Sequence, residues 1–244
     1  MSRARTPVDI DGQVALVAGG AGGAGEAVAR HFAGLGADVA ILDVDGARAA
    51  RVAAAIGGYS QQCDVADAEH VAIGVSSAMA RFGQAPRIVV NCAALDLDAR
   101  IVGPEGKVSI VLFRKALEVN LLGTYHVMSY AAQAMTDLPP LATGERGVIV
   151  NTAFAAREGA RSGQAAPAAS GGAIAALCAP ATSEFSPLGI RVVAVDPGPP
   201  GSPVDAEPTG RHGAFARLVA DVARDPGLDG TVIRLDGATR PPTG

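Results

Sequence analysis

The sequence of 244 residues predicts one α/β domain with a doubly wound, parallel, seven-stranded sheet and helices on both faces. Short apolar runs alternate with stretches of helical periodicity along the chain. These runs are continuous rather than interleaved with polar residues, which is typical of parallel strands buried on both faces. A glycine-rich turn joins the first run to the first helical stretch. No linker interrupts the alternation, so we expect residues 1–244 to form a single domain.

The individual elements follow from where the apolar runs begin and end. Strands are predicted at residues 14–18, 38–43, 60–65, 87–91, 147–151, 190–195 and 230–235. Helices are predicted at residues 26–35, 47–56, 109–135 and 172–185, with a further helix that Asp67 caps and that runs to Phe82. Gly36 and Gly57 follow the first two helices, as glycine does at helix C-termini. Pro180 predicts a kink in the last of these helices. Residues 136–146 and 196–213 lack periodicity and are predicted to be loops.

Composition excludes several classes of protein. The net charge is −4, and no run of Lys and Arg is present, which argues against a nucleic-acid-binding surface. No apolar run reaches the roughly 18 residues that a membrane span needs, and no apolar segment follows the basic N-terminus as it would in a secretory signal. The three cysteines, Cys63, Cys92 and Cys178, are too scattered for a disulfide framework and indicate a reducing, cytoplasmic setting. No metal site is expected.

The glycine-rich turn predicts a dinucleotide site. Gly19, Gly23 and Gly25 have the spacing Gly-x-x-x-Gly-x-Gly between a strand and a helix, and Gly20, Gly22 and Gly25 also fit the general Gly-x-Gly-x-x-Gly pattern. Such glycines let the backbone approach a diphosphate, and the following helix N-terminus supplies free N–H groups. We therefore assign Gly19, Gly23, Ala24 and Gly25 to cofactor binding. The alternative is a tight glycine turn that binds no ligand.

Asp43 ends the second predicted strand, 24 residues after Gly19. A carboxylate at this position accepts hydrogen bonds from the adenosine ribose and repels a 2′-phosphate, which favours NAD over NADP. The alternative is an aspartate that merely starts the following turn, and the neighbouring Asp45 could take either role.

Further segments resemble the short-chain dehydrogenase/reductase family over the whole chain, most closely its NAD-dependent type 2 3-hydroxyacyl-CoA and hydroxysteroid dehydrogenases. They are residues 63–65, 90–94, 117–124, 196–198 and 232–237. Ala94 stands where the family motif Asn-x-Ala-Gly has glycine. The resemblance implies a Rossmann fold and adds Asp64, Val65, Asn91, Ala93, Pro197 and Gly198 to the cofactor-binding residues.

The resemblance also implies where the catalytic residues should stand. The family carries Ser, then Tyr thirteen residues later, then Lys four residues after that, with an Asn from an earlier helix. Here the first three positions hold Phe154, Pro167 and Gly171, and only Asn120 is retained. In the family the tyrosine transfers the proton, the lysine lowers its pKa and holds the nicotinamide ribose, and the serine positions the substrate carbonyl. The segment from 199 to 212 also lacks the length of the family's substrate lid.

These observations leave three hypotheses open. The first is a catalytically impaired protein that binds NAD with weakened affinity and acts as a cofactor-binding protein or subunit. It would form a homo-oligomer (a dimer or tetramer), or a hetero-oligomer with an active paralogue, through the helix at 109–135 and the helix after Gly171. The second is an active NAD-dependent oxidoreductase of a hydroxyacyl-CoA or alcohol, with a non-standard site that uses Asn120 or Ser170. The third is an interaction protein with an empty cleft.

Overall fold

A computed structural model describes residues 7–153, 162–198 and 210–235, and a seven-stranded parallel sheet runs through them in the order β3-β2-β1-β4-β5-β6-β7. The strands are β1 (Val14–Ala18), β2 (Asp38–Asp43), β3 (Tyr59–Gln62), β4 (Ile88–Asn91), β5 (Gly147–Thr152), β6 (Ile190–Asp196) and β7 (Val232–Arg234). The chain reverses its direction of strand addition between β3 and β4, which lie on opposite sides of β1. In such sheets, ligands bind outside the carboxyl ends of the strands at this reversal.

Helices cover both faces of the sheet. They are α1 (Gly23–Gly34), α2 (Gly46–Ile56), α3 (Ala68–Phe82), α4 (Ile110–Leu117), α5 (Gly123–Met135), α6 (Ala165–Phe185) and α7 (Gly210–Arg224). A π-helical turn, Glu118–Leu122, joins α4 to α5. None of the helices in the described residues has the length and apolar character needed to cross a membrane.

The two faces of the sheet carry separate apolar cores. In β1, Leu16 packs with α3 and α5 residues on one face, and its neighbours Ala15 and Val17 pack with α1 and α7 residues on the other. Because successive side chains of a strand point to opposite faces, both sets must be apolar. This explains the continuous apolar runs and confirms the predicted doubly wound sheet.

The element boundaries differ from prediction in several places. The third strand ends at Gln62 rather than at 65, because the Asp64 carboxylate accepts the Ala66 N–H and turns the chain. The last strand spans only Val232–Arg234. The helix predicted at 172–185 begins seven residues earlier, at Ala165, so Pro167 lies in its first turn, where its missing N–H does little harm.

The long helix predicted at 109–135 is interrupted, and one helix was missed. The chain follows a helical path from Ile110 to Met135, but the π turn widens it around Asn120. Helix α7 begins at Gly210, inside the stretch predicted to be a loop. Its buried Phe215, Val219 and Val222 form one apolar stripe that packs against the sheet.

Candidate functional site

A cleft of about 370 Å³ lies along the carboxyl ends of the central strands. Five residues assigned to cofactor binding from the sequence line it: Gly19, Asp43, Asp64, Val65 and Ala93. They come from the ends of β1, β2, β3 and β4, which are neighbours in the sheet although distant in sequence. The fold therefore brings these residues to one place.

The glycine turn is shaped by close backbone packing. Gly19 has φ +77°, and a Cβ there would collide with the backbone nitrogen of Ala93. A Cβ on Gly25 would collide with the carbonyl oxygen of Gly19. Gly23 has φ +56° and opens α1, whose first N–H groups have no acceptor within the helix. Such a turn with a free helix N-terminus suits a diphosphate.

Asp43 anchors this turn. Its Oδ2 accepts a hydrogen bond from the Ala21 N–H at 2.9 Å, and its Oδ1 accepts one from the Asp45 N–H at 3.0 Å. Asp45 has a separate task, since its Oδ1 accepts the Arg48 N–H at 2.9 Å and caps α2. Of Asp43 and Asp45, Asp43 is therefore the one that lines the cleft, and it both starts the turn and holds the glycine loop.

Other assigned residues have different surroundings. The Asn91 side chain is buried and donates to Asn151 Oδ1 at 2.8 Å, so it braces β4 against β5 instead of reaching into the cleft. Pro197 and Gly198 follow β6 and are buried, and the Gly198 N–H is bonded to Asp196 at 2.9 Å. Neither of them lines the cleft, nor do Gly23, Ala24 and Gly25 at the start of α1.

The catalytic positions implied by the family resemblance fall on and around the start of α6. Pro167 is the third residue of α6 and half-buried, and Gly171 is buried one turn later. Phe154 lies outside the described residues. Neither proline nor glycine has a side chain that can donate or accept a proton.

Asn120 is fully engaged by its neighbours. Its Oδ1 accepts the Leu95 N–H at 2.6 Å, and its Nδ2 donates to the Leu95 carbonyl at 3.2 Å and to Ser170 Oγ at 3.4 Å. The Ser170 hydroxyl in turn lies 2.9 Å from the Ala166 carbonyl, to which it donates, and is buried. Thr124 Oγ1 donates to the Asn120 carbonyl at 2.7 Å. Asn120 thus ties the segment after β4 to the π turn and α6.

The two cysteines of the cleft are not nucleophiles. Burial, with the nearby carboxylates of Asp64, Asp67 and Asp43, raises the pKa of the Cys63 thiol to about 12. Burial also raises the pKa of Cys92 to about 12. A raised pKa favours the protonated thiol at neutral pH, so neither cysteine has the environment of an activated thiolate nucleophile. No group of three or more potential metal ligands occurs within residues 7–153, 162–198 and 210–235.

Comparison with known proteins identifies the family. The family model for the short chain dehydrogenase matches residues 13–210. The chain belongs to the short-chain dehydrogenase family. This confirms the family resemblance predicted from the sequence and the Rossmann fold that it implies.

Individual relatives are similar to this chain over most or nearly all of its length. The human "3-hydroxyacyl-CoA dehydrogenase type-2" is 32% identical, with 95% of this chain and 96% of the human protein aligned. The crystal structure of 3-hydroxyacyl-CoA dehydrogenase type-2 from Mycobacterium avium superposes with a TM-score of 0.81 at 29% identity, covering 94% of this chain and 96% of that one. A "2,5-dichloro-2,5-cyclohexadiene-1,4-diol dehydrogenase" of Sphingobium indicum is 31% identical over 78% of this chain and 73% of its own.

Sequence reasoning missed two cations at this site. Lys115 of α4 lines the cleft, half-exposed, 4.0 Å from Glu118. Arg48 in the first turn of α2 lies against Gly22 of the glycine turn. Arg48 could have been found from the sequence, because it lies only five residues after Asp43, at the start of the helix that follows the predicted ribose site. For Lys115 the sequence offers no comparable signal.

Proposed function

We propose that this member of the short-chain dehydrogenase family binds NAD(H) at the carboxyl end of its sheet but does not perform the standard hydride transfer of the family. It then acts as a cofactor-binding protein or as a subunit of an assembly. The observation that carries the proposal is the start of α6, where Pro167 and Gly171 stand at the positions that the resemblance assigns to tyrosine and lysine.

The cleft suits a dinucleotide at its adenosine and diphosphate end. The turn from Gly19 to Gly25 contains only glycine and alanine, which leaves its backbone accessible and fits a diphosphate at the α1 N-terminus. Asp43 stands at the wall where an adenosine ribose would lie, and Asp64 and Val65 border the space for adenine. When bound, the nicotinamide would supply a hydride donor or acceptor.

The nicotinamide end lacks the groups that would use this chemistry. The resemblance puts Pro197 and Gly198 beside the nicotinamide, but Gly171 has no ammonium for the nicotinamide ribose, so we expect weaker binding. Without a proton donor at Pro167, the contribution of general acid–base catalysis, about 10²- to 10⁴-fold, is lost. The side chains of Asn120 and Ser170 form hydrogen bonds with backbone groups and with each other, which favours a structural role for both residues.

A subunit role is supported by exposed apolar surface. Of the thirteen large hydrophobic residues exposed among those the structure describes, seven lie in residues 101–113, at and before the start of α4. A groove of about 320 Å³ also lies between α5 and α6, and its lining includes Tyr125 and Phe185. Monomeric soluble proteins rarely leave such apolar patches uncovered. We expect a cytoplasmic homo-oligomer, or a hetero-oligomer with an active paralogue, to cover them.

The proposal is tested by a turnover assay. The purified protein is incubated with NAD and a 3-hydroxyacyl-CoA, the substrate class named for its relatives, with the human relative assayed in parallel as the positive control. We expect NADH formation at least about 10²-fold slower than in the control, because the proton-transfer group is missing. Turnover comparable to the control would contradict the proposal.

The same assay separates the second hypothesis, an active oxidoreductase with a non-standard site. In that case the wild type oxidises a hydroxyacyl-CoA or alcohol, and Ser170→Ala or Asn120→Ala abolishes this activity while the variants still bind NADH. Under our proposal there is no activity for either substitution to remove.

A further inference from the structure

The cleft at the carboxyl end of the sheet is lined by only one half of the fold. Its walls come from the ends of β1 to β4, the turns after them, α4 and the π turn. Within the part of the chain that the structure describes, no residue of β5, β6, α6 or α7 lines it. Its volume of about 370 Å³ is near the lower end of the roughly 300–1,000 Å³ usual for ligand pockets. The cleft thus matches the adenosine and diphosphate end of the proposed cofactor site and not its nicotinamide end.

The turn after β6, which the resemblance puts beside the nicotinamide, is already bonded to side chains of this protein. The Gly198 N–H donates to Asp196 Oδ1 at 2.9 Å, and the Gly198 carbonyl accepts a hydrogen bond from Arg211 Nη1 at 3.2 Å. Gly198 is also buried. A nicotinamide carboxamide that bonded Gly198 would have to replace one of these bonds, and the loss of a bond to a charged group offsets the gain.

The polar groups between the cleft and α6 are engaged within the protein as well. Gly171 is buried and has no side chain to stand in for the family's lysine. Both backbone polar groups of Leu95 are bonded to the Asn120 side chain, at 2.6 and 3.2 Å. The Ala99 N–H donates to the Gly163 carbonyl at 3.0 Å, which ties the segment after β4 to the residue two before α6. A nicotinamide ribose therefore gains little from these groups.

The adenosine end, in contrast, keeps the groups that a ligand needs. Asp43 lines the cleft, and each of its oxygens accepts one backbone N–H. A carboxylate oxygen can accept more than one hydrogen bond, so lone pairs remain for the ribose hydroxyls. Leu42, Val65 and Val119 give the cleft apolar walls that can pack against a purine. The favourable contacts of a dinucleotide are thus concentrated in its ADP moiety.

We propose that the site selects the ADP moiety of its ligand, so that ADP, ADP-ribose, NAD and NADH bind with similar affinity. This inference rests on the proposed binding of NAD(H) and deepens it by naming the class of ligand. A site that gains nothing from the nicotinamide cannot distinguish the oxidised from the reduced cofactor. The protein then responds to the concentration of ADP-containing nucleotides and not to their redox state.

The test is a calorimetric titration of the full chain with ADP, ADP-ribose, NAD, NADH and reduced nicotinamide mononucleotide. The first four ligands share the ADP moiety, whereas the last carries the nicotinamide, a ribose and one phosphate without it. We expect the dissociation constants of the first four to lie within about threefold of one another, because the nicotinamide adds no net contact. Reduced nicotinamide mononucleotide should not bind at millimolar concentration.

Two neighbouring aspartates provide a matched pair of variants. Asp43→Ala removes the carboxylate that lines the cleft and should weaken all four ligands by the same factor, about tenfold, the usual loss for hydrogen bonds to a charged group. Asp45→Ala removes the cap of α2, which does not line the cleft, and should leave the four dissociation constants unchanged. Far-UV circular dichroism shows whether each variant is folded.

Three results would overturn the inference. If NADH binds about tenfold or more tightly than ADP-ribose, the nicotinamide contributes to binding, and the proposed function stands without the inference. If reduced nicotinamide mononucleotide binds by itself, the nicotinamide end is a working subsite. If none of the five ligands binds, the proposed function fails together with the inference.

Discussion

At the scale of single residues, the stability of the sheet depends on a buried ion pair far from the cleft. Arg191, at the amino end of β6, donates from Nε and Nη2 to the two carboxylate oxygens of Glu145, both at 3.0 Å. Each side chain is only 7% exposed. The guanidinium also donates to three carbonyls around the end of α7. The pair therefore joins β6 to the loop before β5 and to α7.

Glu145→Ala should destabilise the protein strongly while leaving the cofactor site intact. Removing one partner of a buried pair leaves an uncompensated charge and costs about 3–5 kcal/mol. Urea denaturation measures the loss. Arg30→Ala, which removes an exposed pair, is the control and should cost less than about 1 kcal/mol. Equal losses for both variants would show that burial does not set the strength of the Arg191 pair.

At the scale of elements, the start of α5 packs closely against the segment after β3. A Cβ on Gly123, the first residue of α5, would lie 2.5 Å from Val65 Cγ2 and 3.0 Å from Val65 Cβ. Val65 also lines the cleft. The φ of Gly123 is helical and open to any residue. Glycine is therefore required here by the close approach of Val65 and not by the backbone conformation.

Gly123→Ala should therefore destabilise the protein by about 1–3 kcal/mol, the usual range for overpacking, even though alanine favours a helix. Adding Val65→Ala makes room for the new methyl group and should recover part of the loss. A double-mutant cycle by thermal or urea denaturation measures the coupling. Additive effects of the two substitutions on the free energy of unfolding would contradict a direct contact between position 123 and Val65.

The sequence predicted some elements to the residue and others poorly, for physical reasons. β1 and β2 agree with prediction because each is a buried apolar run flanked by turn residues. The π turn was not predicted, and its Asn120 side chain bonds Leu95, 25 residues away, a contact that local sequence patterns do not reveal. Helix α7 was missed because the Pro- and Gly-rich stretch before it obscured its apolar stripe.

At the scale of the whole molecule, the apolar segment at 101–113 predicts self-association. Val111 is 79% exposed and Phe113 36% exposed at the start of α4. Val111→Asp should shift the protein to the 24.3 kDa monomer in light scattering, because a charge in an apolar interface is costly to bury. Ile73→Asp, a substitution at an exposed apolar residue of α3, is the control and should leave the assembly unchanged.

A monomeric wild type would contradict this prediction. So would an assembly that Ile73→Asp disrupts and Val111→Asp does not, because the interface would then lie elsewhere.

The candidate site was predictable where it depends on strand ends and unpredictable where it depends on long side chains. Gly19, Asp43 and Ala93 could be placed from the sequence because carboxyl ends of parallel strands meet at one edge. Arg48 and Lys115 could not, since flexible side chains reach the site from helices. Pro167 and Gly171 could be assigned to the positions of the family's tyrosine and lysine only through the family resemblance.

The most direct test of the account is a titration with NADH, followed by nicotinamide fluorescence, of the wild type and of Gly25→Val. We predict saturable binding in the micromolar range for the wild type. Gly25→Val should abolish it, because a side chain there collides with the Gly19 carbonyl and deforms the diphosphate turn. No binding by the wild type at millimolar NADH would contradict the account and leave the glycine turn without a ligand.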